Sequence, residues 1–351
     1  MSFIAKPLAR HPSLKANNLG LTVRDYEGAM STLCAGCGHD SITAAITHAF
    51  YELDVAPHTV AKLSGIGCSS KTPTYFLSGA HGFNSAHGRM PAILTGASAA
   101  NRGLTYIGVS GDGDSLSIGL GQMSHAIRRN VDALYVLENN GVYGLTKGQF
   151  SASADPGSKS KRGEANTQQA IDPVTLALTL GATFVARSFS GDKAQLVPIL
   201  KAALTHRGFA LVDVISPCVT FNDHEGSTKS YRYTRQHQSP IVEADFVPPA
   251  AEITADYAAG TVAEVIMHDG SVVRFTKIPD GYDPTDRDAV VAYLRQHQHA
   301  GAIPTGLLFL DPNGIEMHAA NRTVAAALTS VPYEQLCPGS AALDVLQKSY
   351  R

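Results

Sequence analysis

From about residue 58 the chain alternates short β-branched or aliphatic runs with longer stretches whose apolar residues recur at helical spacing. Thr59–Leu63, Thr105–Val109, Leu134–Leu137, Thr183–Ala186 and Ala210–Ile215 predict strands. Pro91–Asn101, Leu116–Arg128, Pro173–Leu180 and Lys193–His206 predict the helices between them. In the last of these, Leu196, Ile199, Leu200, Ala203 and Leu204 fall at i, i+3, i+4, i+7 and i+8, a single buried stripe. Strands and helices in strict alternation imply an α/β fold with a doubly wound parallel sheet. Ser151–Gln169 has neither period and reads as a loop over the surface or over a site.

After Cys218 the pattern changes. Phe221–Gln238 is polar, and Val262–Ile266 and Val272–Phe275 predict a hairpin through His268-Asp269-Gly270. Asp286–Gln296 is helical in pattern and Leu307–Leu310 extended, so a small C-terminal α+β unit and tail is expected over 241–351. That leaves the α/β domain at 31–240 and an arm at 1–30. The arm carries Lys6, Arg10, Lys15 and Arg24 before its first acidic residue, Asp25, but lacks the Ser and Arg richness of a transit peptide. It is expected to pack on a partner.

A length of 351 residues suits roughly two units at about 150 residues each. Lys and Arg number 28 against 30 Asp and Glu, a formal charge of −2, which supplies no field for gripping nucleic acid. Charged residues make up 17% of the chain, below the roughly 25% of soluble domains, which points to surface covered by another subunit. No uninterrupted apolar run reaches membrane length, because Asn101 and Arg102 cut the best candidate. Five cysteines without a signal peptide indicate a reducing, cytoplasmic location, where clustered thiols mean metal or catalysis.

Two constellations carry chemistry. Gly111-Asp112-Gly113-Asp114 follows a predicted strand and opens a helix, and 28 positions after Asp112 stands Asn140, in Glu138-Asn139-Asn140 at the end of the next strand. Both turns fall at the carboxyl edge of a parallel sheet, where ligands bind. A carboxylate, an amide oxygen and a loop carbonyl suit a hydrated Mg²⁺ that also takes diphosphate oxygens, and the glycines let backbone N–H groups approach that diphosphate. A tight turn capped by Asp explains Gly-Asp-Gly alone, but not the Asn pair at matching topology. No G-x-x-x-x-G-K-[ST], helix-opening G-x-G-x-x-G, H-E-x-x-H or G-x-S-x-G competes.

The second constellation comprises Cys34-Ala35-Gly36-Cys37-Gly38-His39, Gly65-Ile66-Gly67-Cys68-Ser69-Ser70-Lys71 and Ser216-Pro217-Cys218. Four thiolates converging on one edge suit a [4Fe–4S] cluster or a Cys₄ zinc, and spacing does not separate the two. A redox CxxC and plain buried thiols remain open. Cys337 reads as a small buried hydrophobe. His39 reads as a hydrogen-bonding residue at a helix start, and His297 and His299 as a solvated face.

Taken in order from Cys34 to His224, these motifs, with His87-Gly88-Arg89 and the run Glu138 to Gln149, resemble the beta subunit of two-subunit 2-oxoacid:ferredoxin oxidoreductases. The likeness is nearest to the 2-oxoglutarate and broad 2-oxoacid members. The resemblance implies a thiamine-diphosphate-binding domain with Mg²⁺ on Asp112, Asn140 and the Val142 carbonyl. Ile66, Gly67, Cys68, Ser69, His87, Gly113, Asp114, Gly144 and Leu145 would line the cofactor, and Cys34, Cys37, Cys68 and Cys218 would ligate one [4Fe–4S] cluster. Lys71 and Lys147 match positions at the substrate end, although a Lys at a loop is as often simply solvated.

The implied reaction is oxidative decarboxylation of 2-oxoglutarate to succinyl-CoA and CO₂, with electrons leaving through the cluster to ferredoxin. It is reversible as CO₂ fixation, and pyruvate or a broad 2-oxoacid range is the alternative substrate. The glutamate that activates the thiamine pyrimidine sits on the alpha subunit in this family, so the chain is expected to act only in an (αβ)₂ assembly with coenzyme A as acyl acceptor. A non-redox thiamine decarboxylase with structural zinc and a non-catalytic scaffold are the rival classes. The sequence departs from the family at Phe150-Ser151-Ala152-Ser153, where a Pro usually follows the Ser, and in its long tail beyond about 300.

Overall fold

The computed structural model describes residues 11–160, 163–240, 242–247, 262–266, 272–277, 282–337 and 339–350. Its strands are β1 (Val60–Ser64), β2 (His81–Asn84), β3 (Thr105–Gly111), β4 (Ala133–Asn139), β5 (Val142–Tyr143), β6 (Gln149–Phe150), β7 (Phe184–Phe189), β8 (Phe209–Ile215), β9 (Gln238–Pro240), β10 (Val242–Val247), β11 (Val262–Ile266), β12 (Val272–Lys277) and β13 (Ile303–Leu310). Eight of them form one sheet in the order β2-β1-β3-β4-β8-β7-β13-β9. Every pairing from β2 to β7 is parallel. β4 and β8 are buried at every position. Successive strand residues point to opposite faces, so unbroken burial means that both faces are covered, as the apolar runs in these strands require.

The covering helices are α1 (Gly38–Glu52), α2 (Met90–Ala100), α3 (Leu120–Arg128), α4 (Pro173–Thr179), α5 (Lys193–Thr205), α6 (Tyr231–His237) and α7 (Arg287–His299). α1 packs on α5, α2 on α3 and α4 on α7. Asp172, Asp192 and Asp286 cap α4, α5 and α7 by accepting hydrogen bonds from first-turn N–H groups. The first helix was not anticipated, although Ile42, Ala45, Ile46, Ala49 and Phe50 have the required spacing and all are buried. A π-helical turn, Gly113–Ile118, stands where a regular helix start was expected, and α3 begins only at Leu120.

Two expectations about the carboxyl-terminal third of the chain need correction. β13 does not belong to a separate C-terminal unit: it adds antiparallel to β7, with Gly306 opposite Arg187 and Leu310 opposite Phe184, and β9 pairs on its outer side. The reason is legible in its burial, because Pro304–Leu310 is buried without alternation, as a strand covered on both faces must be. The expected hairpin strands β11 and β12 do pair antiparallel, in a separate sheet with β10; the turn at 268–270 lies outside the described residues.

The described part of the amino-terminal arm packs on its own chain. Tyr26 is fully buried, Asn17 Nδ2 donates to its hydroxyl at 2.9 Å, and Ala29 N–H donates to the Thr74 carbonyl at 2.9 Å. Lys6 and Arg10 lie outside the described residues. After His318 no described residue is buried, and Cys337 is exposed rather than a core hydrophobe. Among the described residues no helix is long and apolar enough to cross a membrane.

Candidate cofactor and metal site

β1 has β2 on one side and β3 on the other, so the chain crosses over beside it and opens a crevice at the carboxyl edge. Into that crevice run the loops after β1, β3 and β4, while Ser216-Pro217-Cys218 continues from β8. One cleft there is lined by Ile66, Gly67, Cys68, Ser69, His87, Asp112, Gly113, Asp114, Asn140, Val142, Gly144 and Leu145. All of these were expected from the sequence. The cleft adds His39, Gly111, Tyr143 and Thr146, and leaves out Lys71 and Lys147. Lys71 Nζ reaches Thr32 Oγ1 at 3.4 Å, and Lys147 is exposed on a left-handed backbone, φ 81°.

The two aspartates of Gly-Asp-Gly-Asp have different work. Asp114 spends both oxygens inside the protein: Oδ1 accepts from Ile66 N–H at 3.2 Å, Gly88 N–H at 2.7 Å and His87 Nδ1, and Oδ2 accepts from Ser110 Oγ. It ties the loops after β1 and β2 to the end of β3. Gly65 is the price of this closeness, since a Cβ there would stand 1.9 Å from Asp114 Oδ2.

Asp112 is also buried, and its Oδ2 accepts from Gly141 N–H at 2.8 Å, Ser153 Oγ at 2.7 Å and Ser151 Oγ. Oδ1 takes no hydrogen bond from the described residues. A carboxylate anchored by one oxygen and open at the other is poised for one metal–oxygen bond. Ser151 and Ser153, the serines of the departing Phe-Ser-Ala-Ser segment, are thus site residues that sequence reasoning missed.

Asn140 Oδ1 accepts from Val142 N–H at 3.0 Å, and its carbonyl accepts from Asn222 Nδ2 at 2.7 Å. This closes the turn that puts the Asn140 side chain and Val142 beside Asp112. Behind them His39, in the first turn of α1, contacts Ser216 Oγ through Nδ1 at 2.6 Å and places Nε2 3.5 Å from Asn140 Nδ2. Burial holds the His39 pKa down to about 4. Glu138 lies 3.3 Å from His39 Nδ1, and burial, with Asp40 nearby, raises its pKa well above the carboxylate range. Burial therefore pushes both groups toward their uncharged forms, as a dry floor under the cleft requires.

The four expected thiols gather at the same edge. A Cβ on Gly144 would lie 3.4 Å from Cys68 Sγ and 3.7 Å from Cys218 Sγ, so that glycine's bare face fronts both. Cys34 is exposed and accepts from Thr220 Oγ1 at 3.5 Å. Burial pushes Cys37 up to about 12, and Cys68 and Cys218 are also raised, first by burial and then by each other or by Cys34. Among the described residues no three His, Cys, Asp or Glu side chains stand close enough to grip a single ion. Four thiolates on one zinc would have to approach to about 3.8 Å, as its 2.3 Å tetrahedral bonds dictate.

The sheet order, the crevice and the Asp112–Asn140 pair define a domain of the thiamine-diphosphate-binding class, and residues 65–214 match the family described as thiamine pyrophosphate enzyme, C-terminal TPP binding domain. The chain is 39% identical over 257 residues to the 2-oxoglutarate oxidoreductase subunit KorB of Mycobacterium tuberculosis, covering 68% of this chain and 67% of that one. It is 44% identical over 191 residues to the 2-oxoacid:ferredoxin oxidoreductase subunit beta of a Sulfolobus species, covering 54% of this chain and 63% of that protein.

The match therefore spans a little under two thirds of that Sulfolobus relative's length. A solved structure, the 2-oxoglutarate:ferredoxin oxidoreductase from Magnetococcus marinus with 2-oxoglutarate, coenzyme A and succinyl-CoA bound, superposes with a TM-score of 0.72 at 28% identity, covering 92% of this chain and 97% of that one. The chain belongs to the family of 2-oxoacid:ferredoxin oxidoreductase beta subunits.

Proposed function

We propose that this chain is the diphosphate- and metal-binding half of a CoA-acylating 2-oxoglutarate:ferredoxin oxidoreductase of the cytoplasm. The observation that carries the reading is the pairing of Asp112, open at Oδ1, with Asn140 and Val142 across the ends of adjacent strands β3 and β4. Mg²⁺ would be held by the Asp112 carboxylate, the Asn140 amide oxygen and the Val142 carbonyl, and Gly67, Ser69, Gly113 and the start of the turn that follows would receive the diphosphate. Ile66, His87, Gly144 and Leu145 flank the thiazolium end.

Thiamine diphosphate supplies the electron sink for decarboxylation of the 2-oxoacid. The chain's own residues orient it, exclude water and carry electrons away. Cys34, Cys37, Cys68 and Cys218 are read as the ligands of one [4Fe–4S] cluster, a reading supported by the approach of Cys68 and Cys218 to the same face of Gly144. Cys68 lines the cofactor cleft itself and Cys34 is exposed, so a cluster held by these thiols would lie between the cleft and the surface from which ferredoxin would take electrons.

Ile66 and Leu145 are 38% and 47% exposed at the cleft mouth, where an alpha subunit carrying the pyrimidine-activating carboxylate would cover them in an (αβ)₂ assembly. The names of the Mycobacterium and Magnetococcus proteins support 2-oxoglutarate as the substrate, and Lys71, beside Thr32 outside the cleft, is the candidate for its distal carboxylate. The Sulfolobus relative's name favours a broader 2-oxoacid range as the second reading.

The test is anaerobic purification of the complex formed with the adjacent subunit. The expected result is about four iron and four sulfide per chain, bound thiamine diphosphate, and dye reduction that depends on 2-oxoglutarate and coenzyme A. Stoichiometric zinc without iron would sink the redox reading. Equal losses on 2-oxoglutarate and pyruvate in Lys71→Met would remove that lysine from the substrate pocket.

A further inference from the structure

We propose that Arg187 is a positioning residue of the metal site, acting through Asp213, Asn139 and Ser153 on Asp112; this rests on reading Asp112 as a magnesium ligand. Arg187 lies in β7 directly opposite Asp213 of β8. Its Nε donates to Asp213 Oδ2 at 2.7 Å and its Nη2 to Asp172 Oδ1 at 2.6 Å. Asn139 Nδ2 donates to the other Asp213 oxygen at 3.0 Å. Ser153 Oγ stands 2.8 Å from Asn139 Oδ1 and 2.7 Å from Asp112 Oδ2.

The direction of each link follows from what the groups can do. Arginine only donates and an ionised Asp213 only accepts, so Asn139 must turn its NH₂ toward Asp213 and its carbonyl toward Ser153. A flipped amide would set its oxygen against the carboxylate. Ser153 has one hydroxyl proton and two acceptors, Asn139 Oδ1 and Asp112 Oδ2, so the orientation of Asn139 governs how that proton is shared with the metal-binding carboxylate.

Asn139, Ser153, Arg187 and Asp213 all line a second cavity of about 200 Å³, and none of them lines the cofactor cleft. Their side-chain hydrogen bonds reach the metal site through Ser153 and Asp112. A buried arginine between two carboxylates gives little net stability over apolar side chains of similar volume, because desolvation offsets the attraction. Its return here is the fixed orientation of an amide two residues' width away from the ligand.

The experiment is a Mn²⁺ titration, followed by electron paramagnetic resonance, of the full complex stripped of cofactor with EDTA and supplied with thiamine diphosphate. Ser153→Ala should weaken Mn²⁺ binding by about 10-fold or more, the usual cost of losing an outer-shell partner. Arg187→Lys, which keeps the charge but loses the fork, should weaken it by roughly 3-fold or more. The double variant should lose clearly less than the product of the two single losses, because the hydrogen-bonded path from the arginine to Asp112 runs through Ser153.

Asp172→Asn retains the α4 cap and loosens Arg187 from the outside, so it carries the comparison if Arg187→Lys does not fold; a smaller loss in the same direction is expected. Additive losses in the double variant, or wild-type affinity in both Ser153→Ala and Asp172→Asn, would overturn the proposal. A wild-type complex with no thiamine-dependent Mn²⁺ site would overturn the magnesium reading itself, and the relay with it.

Discussion

The carboxyl edge of the sheet and the last thirty residues are built in opposite ways. At the edge, Asp112, Asp114, Asn139, Asn140 and Asp213 are all buried, and each accepts a hydrogen bond from a residue distant in the chain. In the tail, the helix Ser340–Lys348 leaves Leu343, Val345 and Leu346 at 52%, 70% and 54% exposure. An isolated helix of nine residues is marginal in water, so the tail's order depends on surfaces it does not itself provide. Rigidity is concentrated where polar groups have been taken out of water, because each must then keep its partner.

That contrast can be broken most severely at Asp112. Asp112→Ala should cost more Mg²⁺-dependent thiamine diphosphate retention than the roughly 10–100-fold of an outer-shell change, measured as cofactor remaining after gel filtration. Unchanged thiamine content would contradict the assignment of that carboxylate. Gly65→Ala comes next, since the added Cβ would meet Asp114 Oδ2 at 1.9 Å. Overpacking of this kind costs about 1–3 kcal/mol, and calorimetry should record a Tm lowered by several degrees; an unshifted Tm would show that the Asp114 tie can slide.

A smaller effect, and one with a pH signature, is expected at Glu138. Its folded pKa is raised by burial above the ordinary value of 4.5, so the fold holds this proton longer than the unfolded chain does. Stability from that group is complete below about 4.5 and is lost as pH rises toward the folded value. Glu138→Gln has no proton to lose, so its Tm advantage over wild type should widen from pH 5 to pH 8. His39, held to about 4, works in the opposite sense between about 4 and 6.5, so the widening from about 6.5 to pH 8 is the part that reports Glu138. A gap that narrows with pH would refute the upward shift of the buried carboxyl. The least effect belongs to the tail: ending the chain at Thr323 removes no buried residue among the described ones and should move the Tm by less than about 1 °C.

Much of the carboxyl edge was legible from residue order because its logic is local. A strand that ends in Gly-Asp-Gly places that Asp at the edge wherever the sheet goes, and the next strand does the same for Asn140. Apolar period placed nine strands and helices between residues 59 and 215 within a few positions of where they lie. β13 escaped because a run such as Leu307–Leu310 does not name its neighbour, and only burial against β7 assigns it to the main sheet. Ser151 and Ser153 escaped for the same reason, since nothing about a serine in an irregular loop says which carboxylate it will meet 39 or 41 positions away.

Residue order therefore settled the α/β class, the strand-end position of the Asp and Asn, and the set of thiols. It could do so because propensity, period and turn chemistry act over a few residues. Tertiary packing decided which oxygen of which aspartate stays open. Asp112 and Asp114 are chemically identical and two positions apart, yet one has both oxygens occupied by the loops that crowd it and the other only one. That difference arises from hydrogen bonds spanning 4 to 48 residues of chain, and it exists only once the loops have been brought together.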